Sequence, residues 1–222
     1  MNDVLREFAN NIIDKAFINY IQTAGLYSQK EFYDLSVHVA NKRQLEYSAG
    51  RKSAYETIKM IDSKHSDCIG ANEDGSVKWP TGLVGSITHS NGIALSVVGS
   101  DLIFDGIGVD IERLLSFSRA VKLVQKICTH EEMISFHDCF NPMIVSILFS
   151  AKECLFKALY PITNSRFYFK DAQIIKIDIA NNTWTIKLLK SLSNNHIAGN
   201  IYNGVFFVGH DFIISLVYIK KN

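Results

Sequence analysis

A chain of 222 residues holds either one large domain or two small halves, and is long enough to bury a substantial core. Charged residues make up 20% and apolar types 47%, an ordinary globular balance that excludes a disordered or collagen-like chain. The formal net charge of +1 disfavours proteins that wrap nucleic acid non-specifically, which are usually far more basic.

The first seven residues, Met1 to Glu7, carry neither the basic start nor the apolar core of a signal peptide. No later apolar run approaches the ~20 residues of a membrane helix, so the expectation is a cytoplasmic protein without a membrane span. Val4, Phe8, Ile12 and Ile13 recur at helical spacing and predict an amphipathic helix over 3–22. A second helix is expected over 41–62. It is locally basic: Lys42, Arg43, Arg51, Lys52, Lys59 and Lys64 face only Glu46, Glu56 and Asp62.

Strand patterns follow Trp79-Pro80. Leu83–His89 and Ile93–Val98 read as two strands joined at Asn91-Gly92, a pair that tolerates positive φ and so marks a tight hairpin. After Gly99-Ser100-Asp101 a third strand is expected from Leu102 to Glu112, completing an antiparallel meander. Asn141-Pro142 then opens a helix, with Asn as N-cap and Pro at N1, expected to run to Leu159 and stop before Pro161. Strands over Gln173–Ile179, Thr183–Leu189, Val205–Val208 and Phe212–Ile219 complete an order of helices then strands, twice, which predicts an α+β fold.

Three elements carry candidate chemistry. In the third strand, alternation puts Ile107, Val109 and Ile111 on one face and Gly108, Asp110 and Glu112 on the other. Two carboxylates two residues apart repel unless a cation lies between them, and hard oxygens of this kind suit Mg²⁺, with Gly108 leaving room beside them. The same pattern also fits an edge strand with two solvated acids. On the helix after Pro142, Ile144, Leu148, Ala151, Leu155 and Ala158 form an apolar stripe. Ser146, Ser150, Glu153 and Lys157 oppose it, with Lys152 at the margin. Glu153 and Lys157 make either a surface i,i+4 ion pair or a third carboxylate with cations for an anionic substrate. The third element is Ser86-Ile87-Thr88-His89-Ser90, whose histidine sits at a strand end, where it would bind phosphate, act as a base, or serve only as a hydrogen-bonded structural residue.

Common signatures are missing. His130-Glu131-Glu132-Met133-Ile134 is not a zinc-protease HExxH, Gly85-Ser86-Ile87-Thr88 is not a nucleophile elbow, and Gly106-Ile107-Gly108 lacks the rest of a dinucleotide fingerprint. Cys68, Cys128, Cys139 and Cys154 form no CxxC pair and read as reduced, mostly buried thiols.

Taken in order, Gly85-Ser86-Ile87-Thr88-His89-Ser90, Gly108-Val109-Asp110-Ile111-Glu112 and Phe149-Ser150-Ala151-Lys152-Glu153-Cys154-Leu155-Phe156-Lys157-Ala158 resemble the signature blocks of the 4′-phosphopantetheinyl transferases. Trp79-Pro80-x-Gly82 and Ala49-Gly50-Arg51-Lys52-Ser53-Ala54 are similar to the branch serving siderophore and other nonribosomal peptide synthetases. The resemblance implies two similar α/β halves with antiparallel sheets, related by a pseudo-twofold. They would be residues 1–101, with the CoA phosphate-binding helix and the histidine strand, and residues 102–222, with the metal site and the KExxxK helix.

It also implies transfer of the phosphopantetheinyl arm of coenzyme A to a serine of an apo carrier protein, releasing adenosine 3′,5′-bisphosphate. Mg²⁺ would be held by Asp110, Glu112 and Glu153. Glu153 would be the base, directly or by way of a metal-bound water, with Lys157 as a second cation and Lys152 beside it. His89 would hold a CoA phosphate with Ser90 or Thr88, and Arg43 and Arg51 the 3′-phosphate. Many relatives carry a second arginine four residues after Arg51, where this chain has Tyr55. The carrier, whether peptidyl, aryl or acyl, would dock between the acidic strand and the KExxxK helix. Leu114, Leu115, Phe117, Ile127, Met133 and Phe136 are the apolar candidates, or else core. A monomer would suffice. The alternative is an inactive CoA-binding or carrier-interaction module, which would bind CoA without needing metal.

Overall fold

Asn91 and Gly92 adopt positive φ, 49° and 78°, and close the expected hairpin between β4 (Leu83–Ser90) and β5 (Ile93–Ser100). The computed structural model describes residues 25–27, 42–61, 63, 69–136 and 141–221; the helix expected over 3–22 lies outside them. A short strand, β1 (Gly25–Tyr27), pairs with the far side of β5, giving a three-stranded sheet in the order β1-β5-β4. Across it lies α1 (Lys42–Ile61), close to its expected bounds. Ala54 and Ile58 pack on Val98, while the hydroxyls of Ser53 and Thr57 meet Ser96 at 2.9 and 2.8 Å. A two-stranded hairpin, β2 (Gly70–Ala71) and β3 (Val77–Lys78), leads into Trp79.

The meander does not continue. After Asp101 the chain leaves the first sheet, passes Leu102, which is 81% exposed, and begins β6 at Phe104 rather than Leu102. β6 (Phe104–Arg113) joins a second antiparallel sheet in the order β6-β10-β9-β8-β7. The reason lies in its two faces. Ile107, Val109 and Ile111 enter an inter-sheet core with Leu95, Val97, Ile214 and Leu216, so β6 must lie against the first sheet rather than in it. Its other face carries glycines and is covered by a helix.

That sheet is completed by β7 (Ala172–Asp178), β8 (Thr183–Leu188), β9 (Ile201–Val208, four residues earlier than expected) and β10 (Phe212–Lys220). Between β6 and the long helix come two short helices, α2 (Phe117–Ile127) and α3 (His130–Ser135). Thr129 and Glu132 form a capping box at the start of α3. The long helix α4 (Pro142–Thr163) starts as expected: Asn141 Oδ1 accepts from the Met143 N–H at 2.9 Å, and Pro142 opens the first turn. It does not stop before Pro161. Proline sits within the last turn, where its missing N–H forgoes a single intrahelical bond, and Asn164 at φ 48° closes the helix through its N–H to Tyr160 O.

α4 is buried almost all round. Ser146 and Ser150, expected on a polar stripe, are both fully buried. Ser146 Oγ bonds back to Pro142 O at 2.6 Å and accepts from the Leu115 N–H at 3.1 Å. Among the described residues no helix is long and apolar enough to cross a membrane. Cys128 and Cys154 are buried and form no disulfide among the described residues; Cys68 and Cys139 lie outside them.

Candidate active site

Glycine makes the site possible by a different route from the one expected. A Cβ on Gly108 would stand 1.9 Å from the Cys154 carbonyl oxygen, and one on Gly106 would stand 2.4 Å from that of Ala158. The space beside Asp110 is therefore filled by the backbone of α4, not left open for a ligand. This close approach brings Glu153 and Lys157 of α4 to the acidic face of β6.

Lys157 is the hub. Its ammonium meets Asp110 Oδ1 at 2.7 Å, Thr88 Oγ1 at 3.0 Å and Val109 O at 3.2 Å. Asp110, not Glu153, is its ion-pair partner. Asp110 is buried and its other oxygen, Oδ2, has no hydrogen-bond partner among the described residues. Burial, and then the Asp110 charge, raise the Glu112 carboxyl to about 7. Lys157 pulls it back, Glu153 pushes it further up, and Arg119 of α2 lowers it. Glu153 is raised for the same two leading reasons, with Lys157 opposing. The three carboxylates thus feel one another across β6 and α4. They do not close into a cage: among the described residues no three His, Cys, Asp or Glu side chains gather as metal ligands do.

His89, one residue before the end of β4, has Nδ1 3.8 Å from Glu46 Oε2 of α1. Its pKa is lowered, chiefly by burial, with Glu46 opposing and Lys157 adding to the fall. Ser90, the last residue of β4, is half-buried. Thr88 faces the second sheet and its hydroxyl is committed there, so it is not open to a phosphate. Arg51 donates to Gly70 O at 2.6 Å and lies 4.9 Å over the Tyr47 ring, which ties α1 to the β2–β3 hairpin. Arg43 belongs to α1, but its side chain is outside what the structure describes.

Lys152 stands apart from these groups. It is 2% exposed, and its ammonium donates to Glu132 Oε2 and Ile127 O at 2.7 Å and to Phe169 O at 2.9 Å. All three of its protons are used in the core. This corrects its expected place beside the reacting groups: the margin of the apolar stripe was the signal for it. Glu132, dismissed with the failed zinc motif, is the fully buried partner.

Beside Glu153 and Lys157 opens a cleft of about 530 Å³. Its walls are aromatic, from Trp79, Phe156, Tyr160 and Phe167, with the turn at Asp74 on one rim and Arg166 on another. Trp79 packs close on β4, where a Cβ on Gly85 would meet its ring at 2.8 Å. Trp79 and Phe156 stood in the sequence only within the motifs that resemble the family, and periodicity did not single out Tyr160 or Phe167. Of the docking candidates, Ile127 is fully buried, and Leu114, Leu115, Met133 and Phe136 pack against the core. Phe117 alone is exposed, at 65%.

An α+β frame sets acidic strand residues against a helix glutamate and lysine beside an apolar cleft, which puts both signs of charge at the edge of a binding space. Two family models match: the 4′-phosphopantetheinyl transferase N-terminal domain over residues 34–99 and the 4′-phosphopantetheinyl transferase superfamily over residues 106–215. The chain belongs to this superfamily. Enterobactin synthase component D of Escherichia coli O157:H7 is 36% identical over 62% of this chain and 64% of its own length. 4′-Phosphopantetheinyl transferase Npt of Nocardia iowensis is 27% identical over 89% of this chain and 95% of that protein. 4′-Phosphopantetheinyl transferase Svp of Streptomyces mobaraensis is 31% identical over 71% and 65%. The chain thus spans somewhat under two thirds of the length of the enterobactin component it matches.

Proposed function

We propose that this protein transfers the phosphopantetheinyl arm of coenzyme A to a serine hydroxyl of an apo carrier protein, in the cytoplasm, releasing adenosine 3′,5′-bisphosphate. Family membership supports the reaction class. The observation that carries it is the Lys157–Asp110–Thr88 cluster, flanked by Glu112 and Glu153, at the mouth of an aromatic cleft. Residues 1–101 and 102–222 would be the two halves of the enzyme, a division supported by the change of sheet between Ser100 and Phe104.

In the reaction, the serine oxygen bonds to the phosphorus carrying the pantetheine arm. The bond from that phosphorus to the bridging oxygen breaks, and the bisphosphate departs with the electron pair. Glu153 would take the serine proton; burial and the neighbouring Asp110 charge raise its pKa, which makes it a stronger base than an exposed carboxylate. Lys157, whose N–H groups go to Asp110, Thr88 and Val109 O, would act by its charge, offsetting the negative charge that develops on the departing phosphate. His89, kept largely neutral by burial, would donate one N–H to a CoA phosphate, with Ser90 beside it.

The donor chemistry suits Mg²⁺, with hard carboxylate oxygens coupled to one another and Asp110 Oδ2 buried and unpartnered among the described residues, and the three side chains would have to draw together to share the ion. Mg²⁺ held by Asp110, Glu112 and Glu153 would supply positive charge against the pyrophosphate oxygens. The pantetheine arm would lie along Trp79, Phe156 and Tyr160 in the cleft. For the 3′-phosphate, the basic start and middle of α1, with Arg43 and Arg51, is the proposed binding region. The carrier would dock on α2, which shows solvent Phe117, Arg119, Lys122 and Lys126 and carries no acid, a face complementary to an acidic helix.

Intact-mass analysis tests this directly. Protein, CoA, Mg²⁺ and apo peptidyl, aryl or acyl carriers should give a gain of one phosphopantetheinyl group. The gain should vanish with Asp110→Ala, and with a carrier whose acceptor serine is alanine. No gain on any carrier would overturn the reading.

A further inference from the structure

The two sheets meet along a seam that strand pairing does not make. Among the described residues β4 and β6 are both terminal strands of their sheets, so each has an edge of backbone groups with no partner strand there. Hydroxyls bridge the edges instead. Ser86 Oγ accepts from the Val109 N–H at 3.1 Å, and Thr88 Oγ1 accepts from the Ile111 N–H at 3.1 Å. Residues 86 and 88 share one face of β4, and 109 and 111 present their N–H groups on the same edge of β6, so the rungs repeat with the strand period of two. Both hydroxyl residues are buried, at 4% and 3% exposure.

Thr88 does more than Ser86. Its oxygen also accepts from Lys157 Nζ at 3.0 Å, and its proton points to Asp110 Oδ1 at 3.3 Å. A hydroxyl offers one proton and two lone pairs, and all three are in use. The three protons of Lys157 are likewise taken, by Thr88, Val109 O and Asp110. Two closed shells interlock, one on the N-terminal sheet and one on α4.

We infer that Thr88 is a positioning residue, whose hydroxyl fixes the Lys157 ammonium on Asp110 and makes that placement depend on the first sheet being docked against β6. Ser86 is the internal control, because it is the same kind of rung without the lysine. The catalytic consequence rests on the function proposed above; the contact itself does not.

The test uses the full chain and two measurements that need no turnover. In urea unfolding, a double-mutant cycle of Thr88→Val with Lys157→Met should show coupling of about fivefold or more in the unfolding constant. Ser86→Ala with Lys157→Met should be additive within about twofold. In amine acetylation read by mass spectrometry, Lys157 should label several-fold faster in Thr88→Val, and in Thr88→Ala should the valine variant not fold, but not in Ser86→Ala or Thr88→Ser. In the transfer assay, Thr88→Val should lower kcat at least about tenfold with KM for CoA within about twofold, and Thr88→Ser should restore it. Additive unfolding or unchanged labelling overturns the inference. So does a raised KM at constant kcat, which would make Thr88 a phosphate ligand. Coupling and labelling as expected, in a protein that transfers nothing, would sink the proposed function and leave this contact established.

Discussion

Replacing Lys152 by methionine keeps most of the stem volume and removes one ammonium. The loss leaves the fully buried Glu132 carboxylate facing only the N–H groups of Thr129 and Ile174, at 2.7 and 2.6 Å. It also strips the carbonyls of Ile127 and Phe169 of a donor. Breaking a buried pair in this way costs about 3–5 kcal/mol. A chain of this length loses roughly 2–4 °C of melting temperature per kcal/mol, so the midpoint should fall by about 6–20 °C. Glu132→Gln alone strands the opposite charge and should cost a similar amount. In the double variant no charge is left unpaired, and the glutamine amide still offers an oxygen to one N–H and protons to a carbonyl. The pair should therefore recover about 1–3 kcal/mol relative to the sum of the singles. Urea unfolding followed through Trp184, buried in the same core, measures all three. A loss below about 1 kcal/mol for Lys152→Met, or strict additivity, would refute the account of Lys152 as a core tie between α2, α3, α4 and the turn at Phe169.

The Glu112 carboxyl, raised to about 7 from 4.5, holds in the folded chain a proton that the unfolded chain releases. Its contribution to stability is therefore fullest below pH ~4.5 and declines as pH rises to ~7. Glu112→Gln should flatten the fall in urea midpoint between pH 5 and 8, and parallel curves would contradict this. Gly108→Ala sets a Cβ against the α4 backbone and should cost more than the ~3 kcal/mol typical of overpacking. Gly70→Ala, whose nearest neighbour is a lysine side chain at 3.8 Å, should be close to neutral in the same thermal scan. If the arm of CoA lies along Trp79, CoA should change the tryptophan emission and adenosine 3′,5′-bisphosphate should not. Trp79→Phe, which keeps Trp184, should abolish the change, and an equal response to both ligands would place the arm elsewhere.

What the chain order alone settled was local. Asn91-Gly92 forced a tight turn, Asn141-Pro142 started a helix, and alternation along β6 separated Ile107, Val109 and Ile111 from Asp110 and Glu112. Each of these depends on backbone preferences within a few residues, so a single sequence is enough to read them. The same holds for the blocks around His89, Asp110 and Glu153, whose wording already matched a family.

Tertiary structure decided which of those residues meet. Lys157 is four residues from Glu153, yet its charge goes to Asp110, 47 positions away, and its third bond to Thr88, 69 away. Glu132 looked like a leftover of a failed motif until the fold set it 2.7 Å from Lys152. Gly108 read as room for a ligand until α4 came to lie on it. Periodicity reports which side of an element a residue takes; it carries no term for what arrives on that side. Here the arrival was set by two sheets packing through Ile107, Val109 and Ile111, which fixed the seam where Thr88, Asp110 and Lys157 lock together.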